Sequence, residues 1–202
     1  MKSIIVLGQT NVGKTLFTLN FADFLGMNQL TITFQNRERG SYSRTLLLSE
    51  AKPLLVSDNL HHTLDIQSIV LSIPGGKSEK QFEILDTAGL SDGIHHNEQI
   101  RKAMAQTLRY LRQADIVFHL FDCKKIAETD ILRGIGEIDY QIAQFGQIKQ
   151  GYVILANKID LPNSQKGLNK IHAEFPGNCI IPISAKNKNG FKEVRKFAKQ
   201  LL

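Results

Sequence analysis

Near the amino terminus, Gly8-Gln9-Thr10-Asn11-Val12-Gly13-Lys14-Thr15 joins two glycines, a lysine and a hydroxyl at the spacing that wraps backbone around a phosphate. Gly8 and Gly13 permit tight approach, so the amides from Gln9, Thr10, Asn11 and Val12 to Leu16 can converge on phosphate oxygens. A helix starting at Lys14 would aim its positive dipole end at the same point. Lys14 is then placed to reach the β- and γ-phosphates, and Thr15 to offer its hydroxyl to Mg²⁺. A glycine-rich turn that binds nothing is the plain alternative, and the adjacent Lys14 and Thr15 argue against it. A second grip, Asp86-Thr87-Ala88-Gly89, follows the apolar Phe82-Glu83-Ile84-Leu85. Asp86 can hold Mg²⁺ through water, and Gly89 leaves its own N–H room to approach a γ-phosphate.

Two further clusters bear on the base. Asn157-Lys158-Ile159-Asp160 follows the apolar Tyr152–Ala156. A carboxylate accepts two hydrogen bonds side by side. Guanine presents adjacent N1–H and N2–H₂ donors, whereas adenine has an unprotonated N1, so Asp160 suits guanine. Lys158 can lay its stem over the ring, and Asn157 can brace loop and base. Ser184-Ala185-Lys186, after Cys179-Ile180-Ile181-Pro182-Ile183, offers a backbone N–H to guanine O6. An ATP site is the rival, since a phosphate loop does not choose its base. Asp160 and the Ser184–Lys186 segment weigh against it.

These clusters need strand ends to stand on. Apolar runs predict strands over 3–7, 64–73, 80–86, 116–121, 152–156 and 179–183, with 64–73 and 80–86 forming an antiparallel hairpin across the turn signal Pro74-Gly75-Gly76. Helical spacing predicts helices over 14–25, 97–113, 129–145, 164–174 and 190–201. Strands alternating with helices imply a mainly parallel sheet covered on both faces, with ligands at the carboxyl ends of the strands. Residues 27–62 are too long for a plain loop. Leu30–Phe34 alternates like a short strand, and Arg37-Glu38-Arg39-Gly40-Ser41 reads as a turn or mobile loop.

The chain of 202 residues, 42% hydrophobic and 22% charged, can bury a core without disulfides or structural metal. Cys123 and Cys179 lack zinc spacing and read as reduced thiols of a cytoplasmic protein. No signal peptide or transmembrane segment is expected. The formal charge of +6 admits RNA, ribosomes or acidic surfaces as partners, or plain solvated charge. The basic segment Phe191–Leu202 reads as a final helix packed on the sheet, and His119 as a core histidine with its hydrogen bonds met.

The four clusters, in that order and at strand ends, resemble those of the translation-factor-related (TRAFAC) P-loop GTPases, most closely the Era/Der/MnmE-type G domain. The resemblance spans essentially the whole chain. It implies a single G domain over 1–202: three αβα layers around a six-stranded, mostly parallel sheet with one antiparallel strand. It also implies a GTP/GDP switch with Mg²⁺. Such proteins close a threonine over Mg²⁺ and the γ-phosphate. Thr63, just before the strand that pairs with the Asp86 strand, fits that place better than Thr45, and 35–62 reads as an enlarged first switch. Leu90 stands where Ras-like proteins carry a water-orienting glutamine, which implies slow intrinsic hydrolysis or another device. Some relatives hold K⁺ through the asparagine at the position of Asn11, sometimes with G-domain dimerisation. Asn11 either does so here or merely braces the loop. His95, His96 and Asp92 follow in the second switch; one histidine could orient water, while surface-loop roles are the plainer reading for them and for His61 and His62. The partner could be the ribosome, RNA or another protein, and a nucleotide-dependent binding module that scarcely hydrolyses GTP is the alternative.

Overall fold

The computed structural model describes residues 1–36, 40–56, 66–74, 79–93, 95–130 and 134–202. The strands are β1 (Lys2–Gly8), β2 (Gln29–Asn36), β3 (Gly40–Leu47), β4 (Ile66–Pro74), β5 (Glu79–Asp86), β6 (Ile116–Asp122), β7 (Tyr152–Asn157) and β8 (Ile180–Pro182). The helices are α1 (Lys14–Phe24), α2 (Leu48–Leu55), α3 (Glu98–Gln113), α4 (Cys123–Glu128), α5 (Glu137–Gln147), α6 (Ser164–Glu174) and α7 (Phe191–Leu201).

The strands form one sheet in the order β3-β2-β4-β5-β1-β6-β7-β8. From β5 to β8 the pairs are parallel; β3–β2, β2–β4 and β4–β5 are antiparallel. β1, β6 and β7 are buried on both faces, which is why their sequences are nearly unbroken apolar runs. One face carries α1, α2 and α7 over a core in which the rings of Phe17, Phe21, Phe118 and Phe191 pack edge to face or stacked. The other carries α3, α5 and α6 over Leu7, Leu85, Val117, Ile142 and Ile171.

The α/β class and the hairpin of β4 with β5 are as expected, but the sheet has eight strands among the described residues rather than six. The extra length is a hairpin of β2 with β3. β2 contains the Leu30–Phe34 stretch expected as a short strand, whereas β3 escapes apolar patterning because it is an edge strand with nearly every residue exposed. Cross-strand pairs join the two strands: Thr31 with Thr45 at 3.0 Å, Thr33 with Ser43 at 2.9 Å, and the stacked rings of Phe34 and Tyr42 with centroids 4.9 Å apart. Gly40 and Ser41 therefore belong to a strand, and 40–55 is β3 and α2 rather than loop. α2 is pinned by the Lys52–Asp23 ion pair at 2.8 Å. Residues 37–39, the turn at 75–76, and His61, His62 and Thr63 lie outside the described residues. The helix expected over 129–145 is met by α5 from Glu137 onward, with 131–133 outside the described residues, while α4, ahead of that range, was not expected. The Asp122 carboxylate accepts the Lys125 N–H at 3.0 Å and starts a helix early, while Gly136 caps the start of the next.

Candidate functional site

The four clusters stand at the carboxyl ends of β1, β5, β7 and β8, all on one edge of the parallel part of the sheet. After β1 the chain turns back over its own strand. Gly8 has φ 143° and Gly13 φ 96°. A Cβ on Gly8 would lie 2.4 Å from the Leu120 carbonyl oxygen, and one on Gly13 2.7 Å from Asn157 Nδ2. Both positions thus need glycine for conformation and for space. Asn11 also has positive φ, at 60°.

Lys14 opens α1, and its ammonium donates to the carbonyls of Gly8 at 3.2 Å and Gln9 at 2.7 Å, inside the curl of the loop. Burial pushes its pKa down to about 8, against the pull of Asp86 and Asp139. Thr15 Oγ1 donates to Asp86 Oδ2 at 2.6 Å. Burial raises the Asp86 carboxyl to about 6, opposed by the Thr15 hydroxyl and Lys14. Its other oxygen, Oδ1, is buried without a hydrogen-bond partner. A buried carboxylate oxygen left unpaired beside a hydroxyl matches the all-oxygen donor set that Mg²⁺ prefers. The Thr15–Asp86 pair therefore fits the metal.

Thr87 anchors the next segment by donating to the Val6 carbonyl at 2.8 Å. Gly89 passes so close to the phosphate loop that a Cβ would lie 2.5 Å from Thr10 Cγ2 and 2.8 Å from Thr10 Cα. The Leu90 N–H donates to the Gly8 carbonyl at 3.1 Å, and the Leu90 side chain is buried in the core. His95 and His96 stand at the entry to α3. His95 Nδ1 accepts the Asn97 N–H at 3.1 Å, and Arg101 holds both histidine carbonyls at the entry to α3.

At the base end, Asn157 is a stitch. Its Nδ2 donates to the Val12 carbonyl at 2.7 Å, and its Oδ1 accepts the Ala185 N–H at 2.8 Å. Asn20 of α1 holds the Ala185 carbonyl at 2.7 Å. Lys158, at φ 67°, reaches the Asn11 carbonyl at 2.9 Å and Asp122 Oδ2 at 2.5 Å, so its ammonium ties the β7 loop to the phosphate loop. Ser184 is buried and caps the turn that follows, with its Oγ accepting the Asn187 N–H at 3.0 Å. Asp160 and Lys186 are exposed. The Ala185 N–H serves the loop itself here, and the Asn11 backbone carbonyl accepts Lys158.

Residues that spacing did not single out also take part. Gln9, expected only as backbone, sends its side chain to Asp139 at 2.6 Å and receives Lys125 at 2.6 Å. Asp139 stands three residues after the capping Gly136, a helix-start pattern that marks its first role but not its second.

A family model described as "50S ribosome-binding GTPase" matches residues 43–158, more than half of the chain and beyond the phosphate loop. GTPase Der of Nitratiruptor sp. is 25% identical over 205 residues, covering 100% of this chain and 35% of that protein. The tRNA modification GTPase MnmE of Cupriavidus pinatubonensis is 31% identical, covering 96% of this chain and 36% of that one. GTPase Obg of Akkermansia muciniphila is 24% identical over 77% of this chain and 43% of its own length. The chain thus spans less than half of each of these relatives. Among solved structures, Aquifex aeolicus Era bound to GDP·AlF4⁻ shares the fold over 100% of this chain and 57% of that one, with TM-score 0.67 and 21% identity. A structure of Era in complex with MgGDPNP and nucleotides 1506–1542 of 16S ribosomal RNA matches with TM-score 0.59 at 18% identity, covering 100% of this chain and 56% of that one.

Proposed function

The chain belongs to the 50S ribosome-binding GTPase family, and from that premise we propose that it is a GTP-binding switch that hydrolyses GTP slowly to GDP and phosphate. One observation carries the reading: Asn157, at the head of the Asn157–Asp160 segment, ties the phosphate loop at Val12 to the Ser184–Lys186 segment at Ala185, and the reading assigns the choice of guanine to Asp160 of that segment. Water attacks the γ-phosphorus in line, and the bond to the β–γ bridging oxygen breaks, leaving GDP and inorganic phosphate. The Lys14 ammonium and the loop amides neutralise charge on the β- and γ-oxygens. Gly89 senses the γ-phosphate, as does Thr63, which lies outside the described residues. Thr15 and Asp86 would hold Mg²⁺, which when bound neutralises the same oxygens. A contribution from K⁺ rests on Asn11 alone; turnover in KCl against NaCl decides it, and equal rates leave Asn11 a brace.

A binding module with scant turnover is the second reading, because Leu90 buries its side chain in the core instead of presenting it to the pocket. Multiple-turnover phosphate release separates the two. The partner is proposed to be RNA, in the cytoplasm, on the strength of the net charge of +6 and the Era complex with 16S ribosomal RNA. The test of base choice is Asp160→Asn, which turns an acceptor into a donor facing guanine N–H groups. GTP affinity is expected to fall by about 100-fold, as for loss of a charged paired contact. Undiminished GTP binding by this variant, or equal occupancy by ATP in the parent, removes the reading.

A further inference from the structure

Behind the phosphate loop the structure buries a second polar cluster. Asp139, in the first turn of α5, is 1% exposed. Its Oδ2 accepts Gln9 Nε2 at 2.6 Å and the Gly136 N–H at 3.0 Å; its Oδ1 lies 3.0 Å from His119 Nε2. His119 Nδ1 is in turn 2.9 Å from the Tyr152 hydroxyl. A carboxylate this deep persists only when donors surround it. Burial by itself would raise its pKa; His119, Gln9 and the Gly136 N–H outweigh that and hold it below the usual carboxylate range.

The Gln9 side chain has one workable orientation. Its oxygen takes Lys125 and its N–H₂ takes Asp139; reversed, it would set donor against ammonium and oxygen against carboxylate. Its backbone carbonyl is one of the two acceptors of Lys14. The same turn of α5 is held from its other side, because the Ile138 N–H donates to Asp92 Oδ1 at 2.8 Å. A Cβ on Gly136 would lie 2.4 Å from Asp92 Oδ2, so glycine is what lets that segment sit there.

We propose that Asp139 is a positioning residue: one buried carboxylate at the start of α5 locks Gln9 of the phosphate loop to the turn on which Asp92 rests, so loop and second switch hold register through the nucleotide cycle. The inference rests on the GTPase reading and adds to it a residue that touches neither nucleotide nor metal. It makes α5 the element that moves if Asp92 leaves its seat.

Two variants test it in the whole chain. Asp139→Asn keeps the shape. Its oxygen can face Gln9 and Gly136, and its amide can donate to His119 Nε2 if the ring proton moves to Nδ1, facing Tyr152. Gln9→Ala cuts the tie and leaves the His119–Asp139 pair. The readouts are single-turnover GTP hydrolysis and the affinity for a fluorescent GDP. In each variant the rate is expected to fall about tenfold or more, and in Asp139→Asn, which alters no residue of the phosphate loop, GDP affinity stays within about threefold, a split that general loosening of the fold does not produce. The double variant is expected to be no slower than the slower single one, since both cut one chain of contacts. Rates within about twofold of the parent, or effects that multiply in the double variant, overturn the proposal. If the parent binds GTP without turnover, the ratio of affinities for GDP and a non-hydrolysable GTP analogue is read instead. A shift of about tenfold supports the proposal and an unmoved ratio overturns it. A parent that binds no guanine nucleotide removes the GTPase reading and this proposal together; a normal parent with unmoved variants removes this proposal alone.

Discussion

Lys14 sets a function against the fold. Its ammonium is buried and its pKa is lowered to about 8 from 10.5, so the charged form is held where the bare protein disfavours it. Below pH 8 the side chain is charged both folded and unfolded, and the full burden falls on the fold, up to roughly 3 kcal/mol. Between pH 8 and 10.5 the folded chain sheds its proton first, the unfolded state binds more protons, and stability from this group rises with pH. Lys14→Met is therefore expected to raise the unfolding free energy of the nucleotide-free protein at pH 7 by about 1–2 kcal/mol while abolishing GTP binding. The gain should shrink as pH approaches 10. Denaturant unfolding at pH 7 and pH 9.5, with and without GTP, reads both signs; a variant less stable than the parent at pH 7 contradicts the argument. At this scale the phosphate loop was legible because its residue types recur at a fixed local spacing, Gly8, Gly13, Lys14 and Thr15, even though Gly8, Gly13 and Thr15 meet Leu120, Asn157 and Asp86 far along the chain. Gln9 was not, because its partner Asp139 lies 130 residues away and only the fold brings them together.

Between elements, Asn157 carries the registration of β1, β7 and β8. Asn157→Ala would strand the Ala185 N–H and the Val12 carbonyl, both contacts buried, at a cost of about 2–4 kcal/mol. GTP affinity should fall with it, because three loops lose their common anchor. Thermal melting and nucleotide titration on the same samples check this; lost affinity with unchanged stability would assign Asn157 to the base and not to the stitch. Asn157→Asp is the informative companion, since it keeps the acceptor for Ala185 and loses only the donor to Val12. The elements around this stitch were legible because a strand buried on both faces announces itself as an apolar run, as Ile4–Leu7 and Val153–Ala156 do. Of the β2–β3 hairpin only β2 was, through alternating Leu30, Ile32 and Phe34; β3 was not, because an exposed edge strand such as Gly40–Leu47 is held by its ladder, the Thr31–Thr45 and Thr33–Ser43 hydroxyl pairs and the stacking of Tyr42 on Phe34. The short helix α4 was missed for a different reason: it starts directly after β6, where the Asp122 carboxylate accepts the Lys125 N–H, and six residues are too few to show a helical period.

For the molecule as a whole, the excess positive charge is not spread evenly. α7 buries Phe191, Val194 and Ala198 in the core, so none of these is offered to a lipid bilayer. Its opposite side lines a groove beside Ile73 with Lys192, Arg195, Lys196 and Lys199. Lys80 stands directly opposite Ile73 in the β4–β5 ladder and so faces the same way. Cations at i, i+3, i+4 and i+7 recur about every 5 Å along a helix, a spacing that a strand of phosphates can follow. If RNA is the partner, as proposed above, this groove is its electrostatic track, on the flank of the sheet and clear of the nucleotide pocket. Replacing Lys196 and Lys199 by Gln should lower the slope of log affinity against log salt by about 0.7 per residue for a single-stranded RNA. Stability should stay within about 0.5 kcal/mol and GTP affinity should be unchanged, because both side chains are exposed and contact nothing in the pocket. Filter binding of a labelled oligoribonucleotide across a salt series measures the slope directly. An unaltered slope in the double variant would place the RNA elsewhere on the surface, and no RNA binding by the parent would return these lysines to plain solvated charge.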